Sequence, residues 1–436
     1  MKHVAHALIV DADAGRAEAL RPRLAVGGYH AVRAASAAVG AAMAAAELPD
    51  LVLIAQSDSI DAIALGRSLK ESAETADIAV AALFDHPSGS VSLDGLAAGL
   101  DDVLSVCCGD AELLARLHPL ARLSTLRAEL RRRAEVAQRF GLPVPARPGP
   151  DPIAAAQRPA VVLIVGDAPH TAEDMLAGQA ELVRAATLPE AEEVLGRGGI
   201  DAAVLSFAAT PEETLYFCAH ARNNPRLFNL PMLLLADPGL DADAAYRQGA
   251  SRVLTLPVEP SALQAAVLTL ARRQQARRLL GTALAECLRP PVGDGATGTY
   301  GRAFLEAYLE NAPHQGRAMA VALFAAPNIE VIRRQFGDDA AAHLSRQVGQ
   351  WIAGLLRVED LVASVSASQF CVVLPDTPLH EAEMVTHRIA GVLAYTDFAV
   401  RDVYQPVKAW IQAGCAMAEA GDTLESVAGR IRRNLR

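Results

Sequence analysis

The chain has few aromatic residues, no excess of positive charge and no long apolar run. Aromatic side chains make up 4% of the 436 residues, and 50 acidic side chains against 40 basic ones give a formal charge of −10. This charge excludes a strong overall attraction to nucleic acid or to an anionic membrane. The longest apolar runs, such as residues 161–165 and 232–236, are strand-sized and fall far short of the ~20 residues that span a bilayer.

Cysteine is also sparse. The six cysteines are scattered, and the adjacent pair Cys107 and Cys108 has neither a metal-binding nor a redox spacing. Residues 1–3 lead directly into an apolar strand, without the layout of a signal peptide. These features predict a cytoplasmic protein with reduced thiols, no bound metal and no membrane insertion.

The residues that are present predict a folded protein of several domains. Apolar residues make up 52% and charged residues 21% of the chain, which is typical of globular proteins and not of disordered ones. A typical domain has roughly 150 residues, so this length predicts about three domains.

The first two thirds of the sequence contain one pattern twice. Apolar strands alternate with helices, as in a parallel sheet covered by helices on both faces. The predicted strands are residues 6–10, 50–54, 78–83 and 103–104, then 160–165, 201–205, 230–235 and 252–254. Their similar spacing predicts two copies of one α/β fold.

The last third has a different pattern. Residues 318–324, 361–374 and 407–417 are predicted as strands, and helices are predicted between them. The stretch 361–374 contains the polar turn Ser366–Gln369, which predicts an antiparallel hairpin and an α+β domain.

Composition shifts give the domain limits. We predict a first domain at residues 1–141, a proline-rich linker at 142–158, a second domain at 159–282 and a third at 283–436. The long helix predicted at 111–138 ends in the run Arg131–Arg133, for which we predict a solvated helix face.

The two repeats resemble the receiver domains of response regulators, which have a flavodoxin-like fold. In that family, acidic residues after the first strand hold Mg²⁺, and an aspartate ending the third strand accepts phosphate. Here Asp11 and Asp13 follow the first strand, but Ala55 and Ser206 stand at the two acceptor positions. An aspartyl phosphate cannot form on alanine, and a lone serine without a base is a poor substitute.

The positions that sense phosphate in the family are also altered. The Ser/Thr and Lys positions hold Phe84 and Val106 in the first copy, and Ala236 and Leu256 in the second. The resemblance therefore implies two pseudo-receivers that serve in packing and dimerisation. An unrelated flavodoxin-like domain is the alternative.

The third block resembles a GGDEF domain, the nucleotidyl-cyclase-like fold that condenses two GTP into cyclic di-GMP. The resemblance rests on the stretches 294–302, 332–339 and 366–377 and covers roughly residues 288–430. In the family, the hairpin carries two glycines beside the triphosphate and two acidic residues for the metal. Here the hairpin reads Ser366-Ala-Ser-Gln369, the metal-binding Asp of the first strand aligns to Ala325, and the guanine-reading Asn and Asp align to Arg333 and Ala342. The resemblance thus implies a catalytically silent domain.

A second family site is retained. Arg357-Val-Glu-Asp360 lies five residues before the hairpin, in the register of the family's product-inhibition motif, and Arg388 occupies the position of a further arginine after it. An arginine can stack on guanine, bond O6 and N7, or pair with phosphate, and an aspartate accepts from the guanine N1 and N2 donors. A second protein face usually completes the site in the family. By strand register, Arg184 is the candidate for that face.

The order of domains resembles catalytically silent relatives of receiver–receiver–GGDEF proteins. That resemblance implies a homodimeric cyclic di-GMP receptor without a cofactor. It would lie at the cell pole and help deliver cell-cycle regulators to the ClpXP protease, with protease-adaptor or polar-localisation proteins as partners. Two alternatives stay open, a diguanylate cyclase with a divergent active site and a dimeric scaffold that ignores nucleotide.

Overall fold

The computed structural model describes residues 5–143, 158–166, 170–206, 211–224, 226–310, 318–401 and 403–434. Most of the predicted linker and Asp167, which follows the first strand of the second repeat, lie outside these residues. The chain divides into two compact units. One contains the described parts of 5–124 and 158–280, and the other those of 125–143 and 281–434. Within the described ranges, no helix is long and apolar enough to cross a membrane.

The first repeat is a doubly wound domain with a parallel five-stranded sheet in the order β2-β1-β3-β4-β5. This is the flavodoxin-like order, which confirms the α/β prediction for the repeat. Its core strand β3 is buried along its whole length, because helices cover both faces. The elements are β1 (Ala5–Val10), α1 (Ala14–Val26), β2 (Tyr29–Ala34), α2 (Ala37–Glu47), β3 (Leu51–Ala55), α3 (Ala62–Glu71), β4 (Ala79–Phe84), α4 (Gly89–Ala97), β5 (Asp102–Ser105) and α5 (Asp110–Arg139).

The second repeat has the equivalent order, β7-β6-β8-β9-β10, again all parallel. Apolar side chains of β6, β8 and β9 form the core on both faces of the sheet. The elements are β6 (Val161–Gly166), α6 (His170–Leu176), β7 (Glu181–Ala185), α7 (Leu188–Arg197), β8 (Ala202–Ser206), α8 (Pro211–Asn223), β9 (Met232–Ala236), α9 (Ala242–Arg247), β10 (Arg252–Thr255) and α10 (Pro260–Glu286).

The two repeats contact each other through the buried carboxylate of Asp102, at the start of β5. Arg116 of α5 donates to both of its oxygens, at 2.6 and 3.1 Å. Arg252 and Arg273 of the second repeat lie 3.1 and 3.3 Å from it. Asp102 and Arg252 are the first residues of equivalent strands, so corresponding edges of the two repeats face each other.

The third sheet has six strands in the order β11-β12-β14-β15-β13-β18. Neighbouring strands are antiparallel except β12 and β14, and β14 and β15 form the predicted hairpin. The elements are β11 (Gly293–Asp294), β12 (Thr299–Tyr300), α11 (Arg302–Glu310), β13 (Met319–Ala325), α12 (Asn328–Phe336), α13 (Asp338–Gly354), β14 (Leu361–Ser366), β15 (Gln369–Pro375), α14 (Leu379–Tyr395), β16 (Asp397–Phe398), β17 (Val407–Lys408), β18 (Gln412–Met417) and α15 (Leu424–Asn434).

The prediction of one strand over residues 407–417 is wrong. That stretch is divided into β17, which pairs with β16, and β18, which pairs with β13. The amide of Asn328 separates the two strands, because it donates to the carbonyl of Lys408 at 2.7 Å and accepts from the N–H of Trp410 at 3.0 Å. The local backbone is thus bonded to a side chain and not to a neighbouring strand.

Candidate functional site

The residues Arg357–Asp360 form a closed turn between α13 and β14. The N–H of Arg357 donates to Oδ2 of Asp360 at 2.8 Å, and the N–H of Asp360 donates to the carbonyl of Arg357 at 3.1 Å. These reciprocal bonds fix the aspartate side chain against the backbone of Arg357. The Arg357 side chain is exposed, whereas Asp360 is buried.

Asp360 is an unusual carboxyl group. Its Oδ1 is buried and has no hydrogen-bond partner among the described residues. Burial, with a smaller contribution from neighbouring Glu359, raises the pKa of Asp360 to about 7. A buried carboxylate with one unpartnered oxygen can accept hydrogen bonds from a ligand that presents N–H groups.

Arg388 reaches the same turn from α14. Its Nη2 donates to the carbonyl of Leu355 at 3.1 Å, two residues before Arg357, and the rest of its side chain is exposed. The structure therefore brings Arg357, Asp360 and Arg388 together, as the register predicts. Two exposed guanidinium groups and one buried carboxyl group can recognise an anionic ligand with donor groups.

Arg184 belongs to the other compact unit. It lies in β7, opposite Ile164 of β6, and forms an ion pair with Glu173 of α6. Its side chain is 65% exposed. Its predicted part in ligand binding stays a prediction.

One further residue, Arg133, contacts this site and was not predicted from the sequence. The predicted solvated face of Arg131–Arg133 is wrong for it, because its side chain is only 3% exposed. Arg133 donates to the carbonyl of Glu359 inside the Arg357–Asp360 turn and pairs with Glu129 at 3.3 Å. Glu129, four residues before Arg133, was the signal in the sequence, since a carboxylate at that helical spacing can compensate a buried arginine.

The hairpin between β14 and β15 lies at the end of β13. Ala325 pairs with Gln369, and the N–H of Ala326 donates to the carbonyl of Ser368 at 2.8 Å. The fold thus assembles the positions that carry carboxylates and glycines in the family, but here they hold Ala325 and the sequence Ser366-Ala-Ser-Gln369. Across the described ranges, no three His, Cys, Asp or Glu side chains group as metal ligands.

The two positions that read guanine in the family lie on helices α12 and α13, outside the hairpin. Arg333 on α12 pairs with Glu330 at 3.1 Å and Asp338 at 3.3 Å, and Ala342 on α13 is exposed. An arginine and an alanine offer no acceptor side chain for a guanine edge.

The acidic residues of the first repeat have partners within the protein. Arg16 binds both oxygens of buried Asp11, at 2.7 and 2.8 Å. Asp13 caps α1 by accepting from the N–H groups of Gly15 and Arg16 at 2.7 and 3.1 Å. Ala55 is fully buried at the end of β3, and Ser206 is buried at the end of β8.

Comparisons with known proteins match the last third of the chain to one family and the whole chain to one relative. The family described as "Diguanylate cyclase, GGDEF domain" matches residues 292–436. The chain is 27% identical to the response regulator PleD of Caulobacter vibrioides, over 98% of this chain and 95% of that protein. The chain is thus similar to this response regulator over nearly its whole length and to the GGDEF family over its last third.

Solved structures of GGDEF domains were also matched. The GGDEF domain of DgcB from Caulobacter crescentus, in complex with c-di-GMP, has 17% identity and a TM-score of 0.31, over 34% of this chain and 89% of that one. The GGDEF domain of FimX from Pseudomonas aeruginosa has 16% identity and a TM-score of 0.30, over 33% of this chain and 90% of that one.

Proposed function

We propose that this protein is a non-catalytic receptor for cyclic di-GMP, which binds at the turn Arg357–Asp360 together with Arg388. The observation that carries the proposal is the buried Oδ1 of Asp360, which has no hydrogen-bond partner among the described residues, in a turn that begins at exposed Arg357 and lies beside exposed Arg388. The carboxylate would accept from guanine N1 and N2. The guanidinium groups would stack on guanine and offset the charge of two phosphates.

The absence of catalysis is proposed from the hairpin. Condensing two GTP requires a divalent cation to offset the charge of the triphosphate, and Mg²⁺ binds through carboxylates. Alanine, serine and glutamine stand where the family has those carboxylates, at Ala325, Ser368 and Gln369. The fold of the domain is that of a diguanylate cyclase, so a cyclase with a divergent site is the competing function.

A PopA-like role follows from the receptor proposal. PopA-like proteins share the order receiver, receiver, degenerate GGDEF, and the resemblance implies a homodimeric cytoplasmic adaptor at the cell pole that serves ClpXP proteolysis. What supports this role is the succession of two parallel α/β sheets and a GGDEF domain in one chain.

Titration calorimetry with cyclic di-GMP tests the receptor function. We expect binding by the full-length protein and a roughly thirty- to hundredfold loss in Arg357→Ala, because a charge-assisted, stacked contact is removed. Arg334→Ala is the matched control, since Arg334 is an exposed arginine of α12 whose Nε donates only to a carbonyl of its own helix in the described contacts. Unchanged affinity in Arg357→Ala would place the ligand elsewhere.

Two further outcomes separate the alternatives. No binding by the wild-type protein would favour the scaffold that ignores nucleotide. Steady formation of cyclic di-GMP from GTP and Mg²⁺ would establish the cyclase. We expect binding without turnover.

A further inference from the structure

Arg133 is a buried arginine that contacts the backbone of the candidate site from helix α5. Its guanidinium donates to the carbonyl of Glu359 and lies 3.3 Å from Oε2 of Glu129. It also lies over the Tyr300 ring, with Cζ 5.8 Å from the ring centroid. Glu129 is held in turn by the hydroxyl of Tyr308, at 2.9 and 3.0 Å. Packing and hydrogen bonds thus fix the guanidinium from several sides.

The contact falls at the peptide that orients Asp360. Glu359 immediately precedes Asp360, and after it the chain enters β14 at the fully buried Leu361. The turn is closed at its other end by the bond from the Arg357 N–H to Asp360 Oδ2. Holding the carbonyl of Glu359 therefore fixes the peptide from which the Asp360 side chain extends, and with it the direction of Oδ1.

Arg133 also affects the pKa of the Asp360 carboxyl group. Three charged groups affect the pKa of Asp360. Glu359 raises it, whereas Arg357 and Arg133 lower it. Burial dominates, so loss of the Arg133 charge leaves the carboxyl group protonated over more of the neutral range. A protonated carboxyl group has one oxygen occupied by a proton and accepts less well from two guanine N–H donors.

We infer that Arg133 is a positioning residue for the cyclic di-GMP site, a role that rests on the proposed function. Through Arg133, ligand binding at the turn and the packing of residues 125–143 on the same compact unit stabilise each other, because both require the same Glu359 carbonyl geometry. The affinity of the site then depends on the packing of helix α5 as well as on the nucleotide.

The test compares Arg133→Gln and Arg133→Lys with Arg132→Gln in the full-length protein. Arg132 is the matched control, because it neighbours Arg133 on the same helix and bonds Glu129 at 3.2 Å and Tyr308 at 3.1 Å, whereas Arg133 bonds the carbonyl of Glu359. Affinity for cyclic di-GMP is measured from pH 6 to 8.5, with circular dichroism to verify folding. We expect Arg133→Gln to weaken binding roughly ten- to hundredfold at pH 7 and to shift the midpoint of the affinity–pH curve upward. Arg133→Lys keeps the charge and should restore the midpoint without restoring full affinity.

Wild-type affinity and midpoint in both Arg133 variants, with binding lost in Arg357→Ala, would overturn the inference and leave the proposed function intact. If Arg133→Gln does not fold, the affinity of Arg133→Lys for cyclic di-GMP is the test, and an affinity equal to that of the wild type would overturn the inference. If the wild-type protein binds no cyclic di-GMP, the proposed function and the ligand role fail together. The rates of amide hydrogen exchange at residues 357–360 then test whether Arg133 positions the turn. Equal rates in Arg133→Lys and Arg132→Gln would overturn this role.

Discussion

Two opposing effects act on the pKa of the Asp360 carboxyl group. Its Oδ2 closes the turn by accepting from the N–H of Arg357, which favours the ionised form. Its burial disfavours the ionised form more strongly and raises the pKa to about 7. The folded protein therefore binds a proton at this carboxyl group that the unfolded chain, with an ordinary aspartate pKa near 4, has already released.

The contribution of Asp360 to the free energy of unfolding is therefore expected to fall as the pH rises from about 4 to about 7. Asp360→Asn mimics the neutral carboxyl group, so we expect it to remove this fall. The free energy of unfolding at pH 8 should rise by roughly 1–3 kcal/mol, given about 1.4 kcal/mol per pKa unit. Urea unfolding at pH 5 and pH 8 measures the effect.

Asp422 provides the control of opposite sign. Its hydrogen bonds with Arg430 lower its pKa to about 2, so its contribution is present above pH 4 and is lost as the pH falls. Asp422→Asn should therefore destabilise the protein at pH 8. A destabilising effect of Asp360→Asn at pH 8 would contradict the assignment of a raised pKa.

At the scale of elements, strands β5 and β10 are joined by one carboxylate and three arginines. Asp102 is 3% exposed, and Arg116, Arg252 and Arg273 converge on it. These arginines lower the pKa of Asp102 against the effect of burial. Without the carboxylate, two buried arginines and one largely buried arginine would face each other with much less compensating negative charge.

We therefore expect Asp102→Ala to reduce the free energy of unfolding by about 3–5 kcal/mol. Asp110→Ala is the control, because Asp110 is a 67% exposed partner of Arg23, and exposed ion pairs contribute about 1 kcal/mol or less. Denaturant unfolding measures both. Equal effects of the two substitutions would show that the contact between the repeats does not depend on Asp102.

The buried strands could be predicted from sequence because helices cover both faces of a parallel sheet, so that β3 and β8 are continuous apolar runs. The outer strands β2 and β7 were not predicted, since exposure at the sheet edge admits polar residues such as His30, Arg33 and Arg184. Three residues of the candidate site, Arg357, Asp360 and Arg388, were predicted because the family resemblance fixes their positions within one domain. Arg133 was not, because it is 226 residues away from Glu359 in sequence and only the fold brings them together.

At the scale of the whole molecule, the altered acceptor positions predict assembly that is independent of phosphorylation. Ala55 and Ser206 end the third strands of the two repeats, so acetyl phosphate should give no acyl phosphate and beryllofluoride should leave the oligomeric state unchanged. We expect a constitutive homodimer, since two-fold dimers are the commonest soluble assemblies. Light scattering at micromolar concentration measures this, and a monomer would contradict it.

The dimer prediction extends to Arg184. If cyclic di-GMP contacts Arg184 as well as the Arg357 turn, the ligand should change the small-angle scattering profile of the wild-type protein but not of Arg184→Ala. Glu181→Ala, an exposed substitution on the same strand, is the control. A wild-type profile that ignores the ligand would exclude this role of Arg184 without affecting binding at the turn.

The ion pair between Arg16 and Asp11 bears on what an aspartate at position 55 could do. Arg16 neutralises the acidic residue and also reaches the carbonyl of Gln56, next to Ala55, at 3.4 Å. A mutation that restored aspartate at position 55 would thus place a buried carboxylate beside a guanidinium that already has its counter-ion. A phosphate acceptor at position 55 would therefore require a second substitution, at Arg16, to free Asp11 for a divalent cation.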